Sequence, residues 1–132
     1  MLSQLPTPLV SLASYQLAGR GRGRNTWLTP SGCLLFSVLL RVSLTNFHAN
    51  KLVFLQYLLS LAVAEACRDE SILGPKAGEQ VRLKWPNDIY AVVGEGNEDL
   101  RKIGGVLINT SFSGNKVDIV AGTWSFPRFP MS

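Results

Sequence analysis

Histidine is nearly absent from this 132-residue chain, with His48 its only example. His48 follows Asn46 and Phe47 in a loop ahead of a helix and reads as a surface residue, so no Ser-His-Asp or Cys-His pair can be built on it as base. Cysteine is almost as scarce. Cys33 and Cys67 lie far apart, with no Cys-x-x-Cys spacing and no paired histidines. That excludes a zinc site and leaves two small core residues, reduced thiols of a reducing compartment. Charged residues amount to only 17%, but 46% hydrophobic content removes the signature of disorder. The length suits one domain with a single core. Long apolar runs are missing too. Leu52 to Ala64, the best candidate, is interrupted by Gln56 and Ser60 and falls short of the ~18–20 apolar residues that a span needs. Met1 to Ala18 has no basic start and carries Pro6 and Pro8 where a secretory signal requires an apolar helix. The expectation is a chain that is neither secreted nor embedded in a membrane.

The net charge is +4, and Arg20, Arg22 and Arg24 concentrate three positive charges in five residues. Diffuse nucleic-acid affinity is therefore weakly supported.

Leu9 to Tyr15 reads as a strand after an irregular Met1 to Pro8, and a glycine and arginine loop follows through Gly32. From Cys33 to Leu44 the even positions Leu34, Phe36, Val38, Leu40, Val42 and Leu44 are apolar, while the odd ones include Ser37, Arg41 and Ser43. This predicts a long strand with one fully buried face. Asn50 can cap a helix whose apolar residues Leu52, Leu55, Leu59, Ala62, Val63 and Ala66 recur at helical spacing until Gly74 and Pro75 stop it. Val81 to Trp85 and Ile89 to Val93 read as short strands around Pro86-Asn87-Asp88, followed by a loop at Gly94 to Asn97. Ile103 to Thr110 and Val117 to Ala121 flank Ser113-Gly114-Asn115, which predicts an antiparallel hairpin. The tail after Gly122 loses the alternation and contains two prolines, so it is expected to leave the sheet. One main helix beside hairpin-like strands indicates a mixed α+β layer.

Gly19-Arg20-Gly21-Arg22-Gly23-Arg24 offers backbone amides and fixed positive charge to an anion. It lacks Gly-Lys-Ser/Thr and the dinucleotide-binding glycine spacing, so it is neither a P-loop nor a Rossmann turn. Alone it also reads as a solvated basic loop or an RNA-binding tract. Trp27, in Trp27-Leu28-Thr29-Pro30, suits stacking on a purine or covering an apolar ring, although a lone tryptophan is more often core. Lys84-Trp85-Pro86-Asn87-Asp88 sets an ammonium, an amide and a carboxylate at the end of one strand. Lys102-Ile103-Gly104-Gly105 puts a further lysine before two glycines, where a substrate can approach the backbone.

Taken in order, Gln16 with Gly19-Arg20-Gly21-Arg22, Trp27-Leu28-Thr29-Pro30, Lys84-Trp85-Pro86-Asn87-Asp88 and Lys102-Ile103-Gly104-Gly105-Val106-Leu107-Ile108 resemble the motifs of biotin–protein ligases. The resemblance runs from about Val10 to Gly122. Gln56 and Tyr57 in the long helix, and the inserted Gly94 to Leu100 loop, look more like the eukaryotic holocarboxylase synthetase branch. The resemblance implies a mixed, largely antiparallel sheet packed on helices, of the biotin/lipoate ligase catalytic-domain type and truncated at both ends. Residues 1–8 would be an irregular segment, 9–122 a partial catalytic domain and 123–132 a tail outside the family.

The implied reaction is ATP-dependent activation of biotin to biotinyl-5'-AMP and transfer to a lysine of biotin-dependent carboxylases. Two anions must meet in it, so the site needs positive charge in place beforehand. By resemblance, Lys102 contacts the biotin carboxylate and the reacting phosphate, while Arg20 and Arg22 belong to a loop closing over the adenylate. Lys102 and Arg22 are the catalytic candidates. Gln16, Gly19 and the backbone of Gly21 and Gly105 would hold biotin. Trp27 would lie near the adenine, and Lys84, Asn87 and Asp88 near the phosphates and their Mg2+, with Asp88 a candidate metal ligand. ATP and Mg2+ are the implied cofactors, biotin the substrate, carboxyl-carrier domains the partners and the cytoplasm the location, with no nucleic acid and no membrane.

The family's domain begins with a strand, a Ser-Thr-Asn-like motif and a helix upstream of the matched segment, and none is present here. Ile119-Val120-Ala121-Gly122 approaches the family's Gly-x-Gly-Ile-Asn strand, but Thr123-Trp124-Ser125 replaces the remainder. The chain is accordingly expected to be an incomplete, weakly active or inactive form from a truncated or mis-spliced gene. A lipoate–protein ligase, which shares fold and adenylation step, and a non-catalytic RNA-binding module remain as alternatives.

Overall fold

The computed structural model describes residues 2–29, 31–45, 47–93 and 99–125. After a 3-10 turn at Leu2–Gln4, within the segment read as irregular, come β1 (Leu9–Ala13), β2 (Gln16–Arg20), β3 (Thr26–Thr29) and β4 (Leu34–Ser43). A 3-10 helix, Ala49–Phe54, leads into α1 (Leu55–Cys67) and the short α2 (Gly74–Gly78). The chain then forms β5 (Val81–Lys84), β6 (Asp88–Val93), β7 (Asp99–Ser113) and β8 (Lys116–Ser125). Six strands make one sheet in the order β1-β4-β8-β7-β6-β5, and β2 and β3 pair separately. All the described pairings are antiparallel. The expected α+β architecture is therefore present, with a helix laid on a largely antiparallel sheet.

The helical segment departs from its sequence reading at both ends. Asn50 lies inside the 3-10 helix and is not a cap, because the helical run starts earlier, after His48, with no side-chain cap bond. Gly74 and Pro75 open α2 and do not end α1; proline at a first turn loses no hydrogen bond that a helix would use. Between the helices Asp69 accepts hydrogen bonds from the Ser71 amide (2.8 Å) and hydroxyl (2.5 Å), which hold its carboxyl below the ordinary value. The two helical pieces together, Ala49–Cys67, form 19 residues of mean hydropathy 1.2, long and apolar enough by length and composition to cross a membrane. The helical run is thus longer than the apolar stretch Leu52 to Ala64 indicates. Here one side of the helix packs on the sheet: Leu59, Val63, Ala64 and Cys67 meet Val81, Ile89 and Val106.

Strand β4 buries the opposite residues from those its alternation indicated. Leu35 and Leu39, at odd positions, are 6% and 5% exposed, whereas Leu34 and Leu40 are 53% and 38% exposed. The strand is apolar on both sides because it lies between β1 and β8, and the even side faces the part of the sheet that α1 does not cover. The glycine and arginine segment is shorter as a loop than its composition implies. Gln16–Arg20 pairs with Thr26–Thr29, since ladder hydrogen bonds need only backbone. At the other end β8 continues through Ser125 instead of leaving the sheet at Gly122. Trp124 pairs with both Leu35 and Gly105. Residues 126–132, with both prolines of the tail, and the loop residues 94–98 lie outside the described residues, as do Pro30 and Asn46.

The core runs through β8, where Val117, Ile119 and Ala121 are at most 4% exposed. Truncating Ile119 to alanine is expected to cost ~2–5 kcal/mol in urea unfolding, as buried isoleucines do. Leu12→Ala, at 73% exposure, should stay within ~0.5 kcal/mol. Equal effects at the two positions would show that β8 is not the centre of the sheet.

Candidate functional site

The site begins with a register shift. Asp88 pairs with Gly105 and Ile89 with Gly104, but Tyr90 pairs with Lys102, so Ile103 is an extra residue on β7. Under strict alternation Lys102 and Gly105, three apart, would point to opposite faces. The one-residue bulge returns Lys102 to the face that carries Asp88 and Gly105. Ile103 itself packs with the Ala64, Val81, Ile89 and Val106 cluster on the helix side. Lys102 Nζ consequently reaches Asp88 Oδ1 at 2.7 Å, both side chains being partly buried. The Asn87 carbonyl accepts a hydrogen bond from the Val106 amide (2.9 Å), fixing the turn that presents Asn87 and Asp88.

The β2–β3 hairpin brings in the arginine segment. Gly19 pairs with Trp27 and Arg20 with Thr26, and the Gly21 amide donates to the Asn25 carbonyl at 2.7 Å. Gly21 must be glycine here, since a Cβ would run into the Trp27 indole. Trp27 stacks against Trp124 with ring centroids 4.6 Å apart and planes 30° from parallel. Lys102 Nζ lies 5.3 Å from the Trp27 ring and 5.8 Å from the Trp124 ring, within cation–π range. Gly105 lies against the same pair of walls: a Cβ there would sit 3.3 Å from Trp124 Nε1 and 3.4 Å from the Asn87 carbonyl oxygen. The Thr123 hydroxyl donates to the Gly105 carbonyl at 3.1 Å from the other face of β8.

These residues surround a cavity of about 250 Å³ lined by Arg20, Gly21, Arg22, Asn25, Trp27, Asn87, Asp88, Lys102, Gly105 and Trp124, among others. Three cationic side chains and one carboxylate face it, with Arg20 and Arg22 exposed. A second cavity of about 390 Å³ adjoins it, sharing Arg20, Leu107 and Trp124. Gln16, Ser11, Ser37 and Asn109 supply polar atoms to it, and Leu35, Leu107 and Val120 apolar walls.

Four separated sequence motifs thus meet in one place. Two candidates stand apart. Lys84 lies on the exposed rim, its Nζ 5.8 Å from the Tyr90 ring centre, and lines neither cavity. Gly19 is buried within the hairpin beside the Gln16 side chain and lines neither cavity. Sequence reasoning passed over Trp124, Asn25, Ser37 and Asn109. The signal for Trp124 was the spacing Val120, Gly122, Trp124, which continues the alternation of β8 past Gly122. His48 is exposed, as expected of a surface residue. Cys33 is buried and Cys67 partly so; both are free, and burial pushes the Cys67 thiol up.

The chain is similar to proteins that carry this chemistry. It is 40% identical over 114 residues to the human biotin–protein ligase, a stretch covering 86% of this chain and 14% of that protein. It is 33% identical to the biotin–protein ligase of Schizosaccharomyces pombe, over 92% of this chain and 20% of the relative. A crystal structure of biotin protein ligase from Leishmania major in complex with biotin superposes with a TM-score of 0.63 at 29% identity, covering 88% of this chain and 46% of that one. The Aquifex aeolicus ligase in complex with biotin and ATP gives 0.61 at 28% identity, covering 98% and 49%. The chain therefore spans about half the length of these solved structures and less of the curated relatives. The family profile of biotin/lipoate A/B protein ligases matches residues 1–124, and the chain belongs to that family.

Proposed function

We propose that this chain carries the substrate-activating part of a biotin–protein ligase: ATP and biotin combine to biotinyl-5'-AMP, and the biotinyl group passes to a carboxylase lysine. The observation that carries this reading is the convergence of Arg20, Arg22, Trp27, Asn87, Asp88 and Lys102 on one cavity that opens beside a second, less charged one. The larger cavity suits biotin. Its serine, asparagine and glutamine groups can meet the ureido N–H and C=O, while Leu35, Leu107 and Val120 face the rings and chain. The smaller cavity suits the nucleotide, with Trp27 for the base and three cations for the phosphates.

In the first step a biotin carboxylate oxygen attacks the α-phosphorus, the new P–O bond forms and pyrophosphate leaves with the electron pair of the broken bond. Lys102 stands at the junction of the charged groups and lowers the cost of bringing the two anions together. Arg20 and Arg22 hold the phosphate side, and the backbone at Gly21 and Gly105 allows close approach. In the second step the acceptor amine attacks the acyl carbon, AMP leaves and the amine loses a proton. No histidine is required. Among the described residues no three His, Cys, Asp or Glu side chains form a cluster able to hold a metal alone. Asp88 fits magnesium as a single carboxylate ligand, the nucleotide's phosphates completing the shell. The metal would neutralise phosphate charge there. Carboxyl-carrier domains would be the acceptors, and a reducing, ATP-supplied compartment such as the cytoplasm suits the two free thiols.

No arrangement here favours the lipoate or RNA readings, since Arg20 and Arg22 line one walled cavity together with Asp88 and Lys102.

Two measurements test the roles. When residues 9–125 replace the matching segment of a full-length relative, Lys102→Ala should lower biotin-dependent pyrophosphate release by ~10²–10³-fold, the usual effect of losing a preorganised charge. Deleting Ile103 removes the extra residue and leaves Lys102 paired with Tyr90 in regular alternation, on the Asp88 side. The deletion and Ile103→Val should therefore each lower release far less than Lys102→Ala; a loss in the deletion as large as in Lys102→Ala would refute the bulge argument. In the same protein Arg22→Gly should keep adenylate synthesis measurable but release the intermediate, seen on a streptavidin blot as labelling of bystander lysines. Labelling confined to the acceptor lysine would remove Arg22 from that role.

A further inference from the structure

Trp124 is absent from every functional motif of the sequence, yet it lines both cavities. Its ring lies 4.6 Å from that of Trp27, the close end of the about 4.5–7 Å range of aromatic pairs. No third ring fits between two indoles at that spacing. Lys102 Nζ lies over both rings while paired with Asp88, so the stack, the ammonium and the carboxylate form one connected unit. Strand β8 supplies Trp124 from its last turn of alternation and anchors it between Leu35 and Gly105.

We infer that Trp124 occupies the stacking place on Trp27 that a nucleotide base would take, and so sets the chain's affinity for ATP by competing with it. This rests on the reading of the smaller cavity as the nucleotide side. Binding of the base requires the two indoles to separate, and the affinity observed is the intrinsic one reduced by the cost of parting them. An aromatic pair of this kind holds back binding by about two- to twelvefold. The two halves of the stack then act in opposite directions. Trp27 gains the base, and Trp124 excludes it.

Two readouts test this on the whole chain with ATP as the probe. Stacked indoles couple their transitions and give a paired band of opposite signs in far-ultraviolet circular dichroism. The chain has three tryptophans, and Trp85 is 69% exposed, so the Trp27–Trp124 pair is the source of that band. It should disappear as ATP saturates. Calorimetric titration should show ATP binding tightened about two- to twelvefold by Trp124→Leu and weakened by Trp27→Leu. A purely structural role would weaken binding in both. Persistence of the band in saturating ATP, or ATP binding by Trp124→Leu no tighter than by the unchanged chain, overturns the inference. The band needs no variant, so it decides the matter even where Trp124→Leu does not fold. Biotin titrated into the same samples separates the two levels: biotin binding with unmoved ATP affinity defeats only the competition, whereas a native chain binding neither defeats the functional reading and the inference together.

Discussion

The bulge that absorbs Ile103 keeps Lys102 on the Asp88 side of β7, and most of the site follows from that placement. With Lys102 on the Asp88 side, an ion pair of 2.7 Å closes between β6 and β7. The ammonium then lies above the Trp27–Trp124 stack, which joins the separate hairpin β2–β3 to the main sheet. Without the bulge the lysine would be turned into the apolar cluster under α1, where a charge is expensive to bury. The apolar demand of Ile103 for that cluster and the polar demand of Lys102 for the opposite face are satisfied together.

The two faces of the sheet divide the labour. On one, α1 covers β5, β6 and β7. On the other, β8, β7 and β4 floor the two cavities, roofed by the hairpin. Beyond α1 the first face remains open over β1 and β4, where Val10, Leu12, Leu34 and Leu40 are exposed. At the far end of β4, Arg41 pairs with the buried Asp118 at 2.6 Å and also donates to the Leu2 carbonyl, tying the N-terminal turn to the sheet. Both cavities thus lie on one side, where the strands present short side chains such as Gly105, Gly122 and Ser37.

Much of this was legible in the sequence, for reasons that also mark its limits. Turn residues at Pro86-Asn87 and Gly114-Asn115 located the hairpins because such turns constrain backbone conformation locally. The cationic and amide groups of the site were named through the resemblance, and of Lys84-Trp85-Pro86-Asn87-Asp88 only Pro86, Asn87 and Asp88 line a cavity. The bulge could not be read, since Gly104 and Gly105 have no side chains to reveal which face they occupy. Strand β4 was assigned the wrong buried face because Leu35 and Leu39 are as apolar as their even neighbours, and only the position of α1 breaks the tie. Trp124 was lost to the prolines that follow it, which were allowed to end the strand three residues early.

Binding of biotin and ATP to adjoining cavities is the central claim, and isothermal titration of the purified 132-residue chain tests it most directly. Biotin should bind at one site per chain, and ATP should bind to the biotin-loaded chain with a heat that Asp88→Asn and Lys102→Ala each diminish. A chain that stays folded and takes up neither molecule would contradict the account.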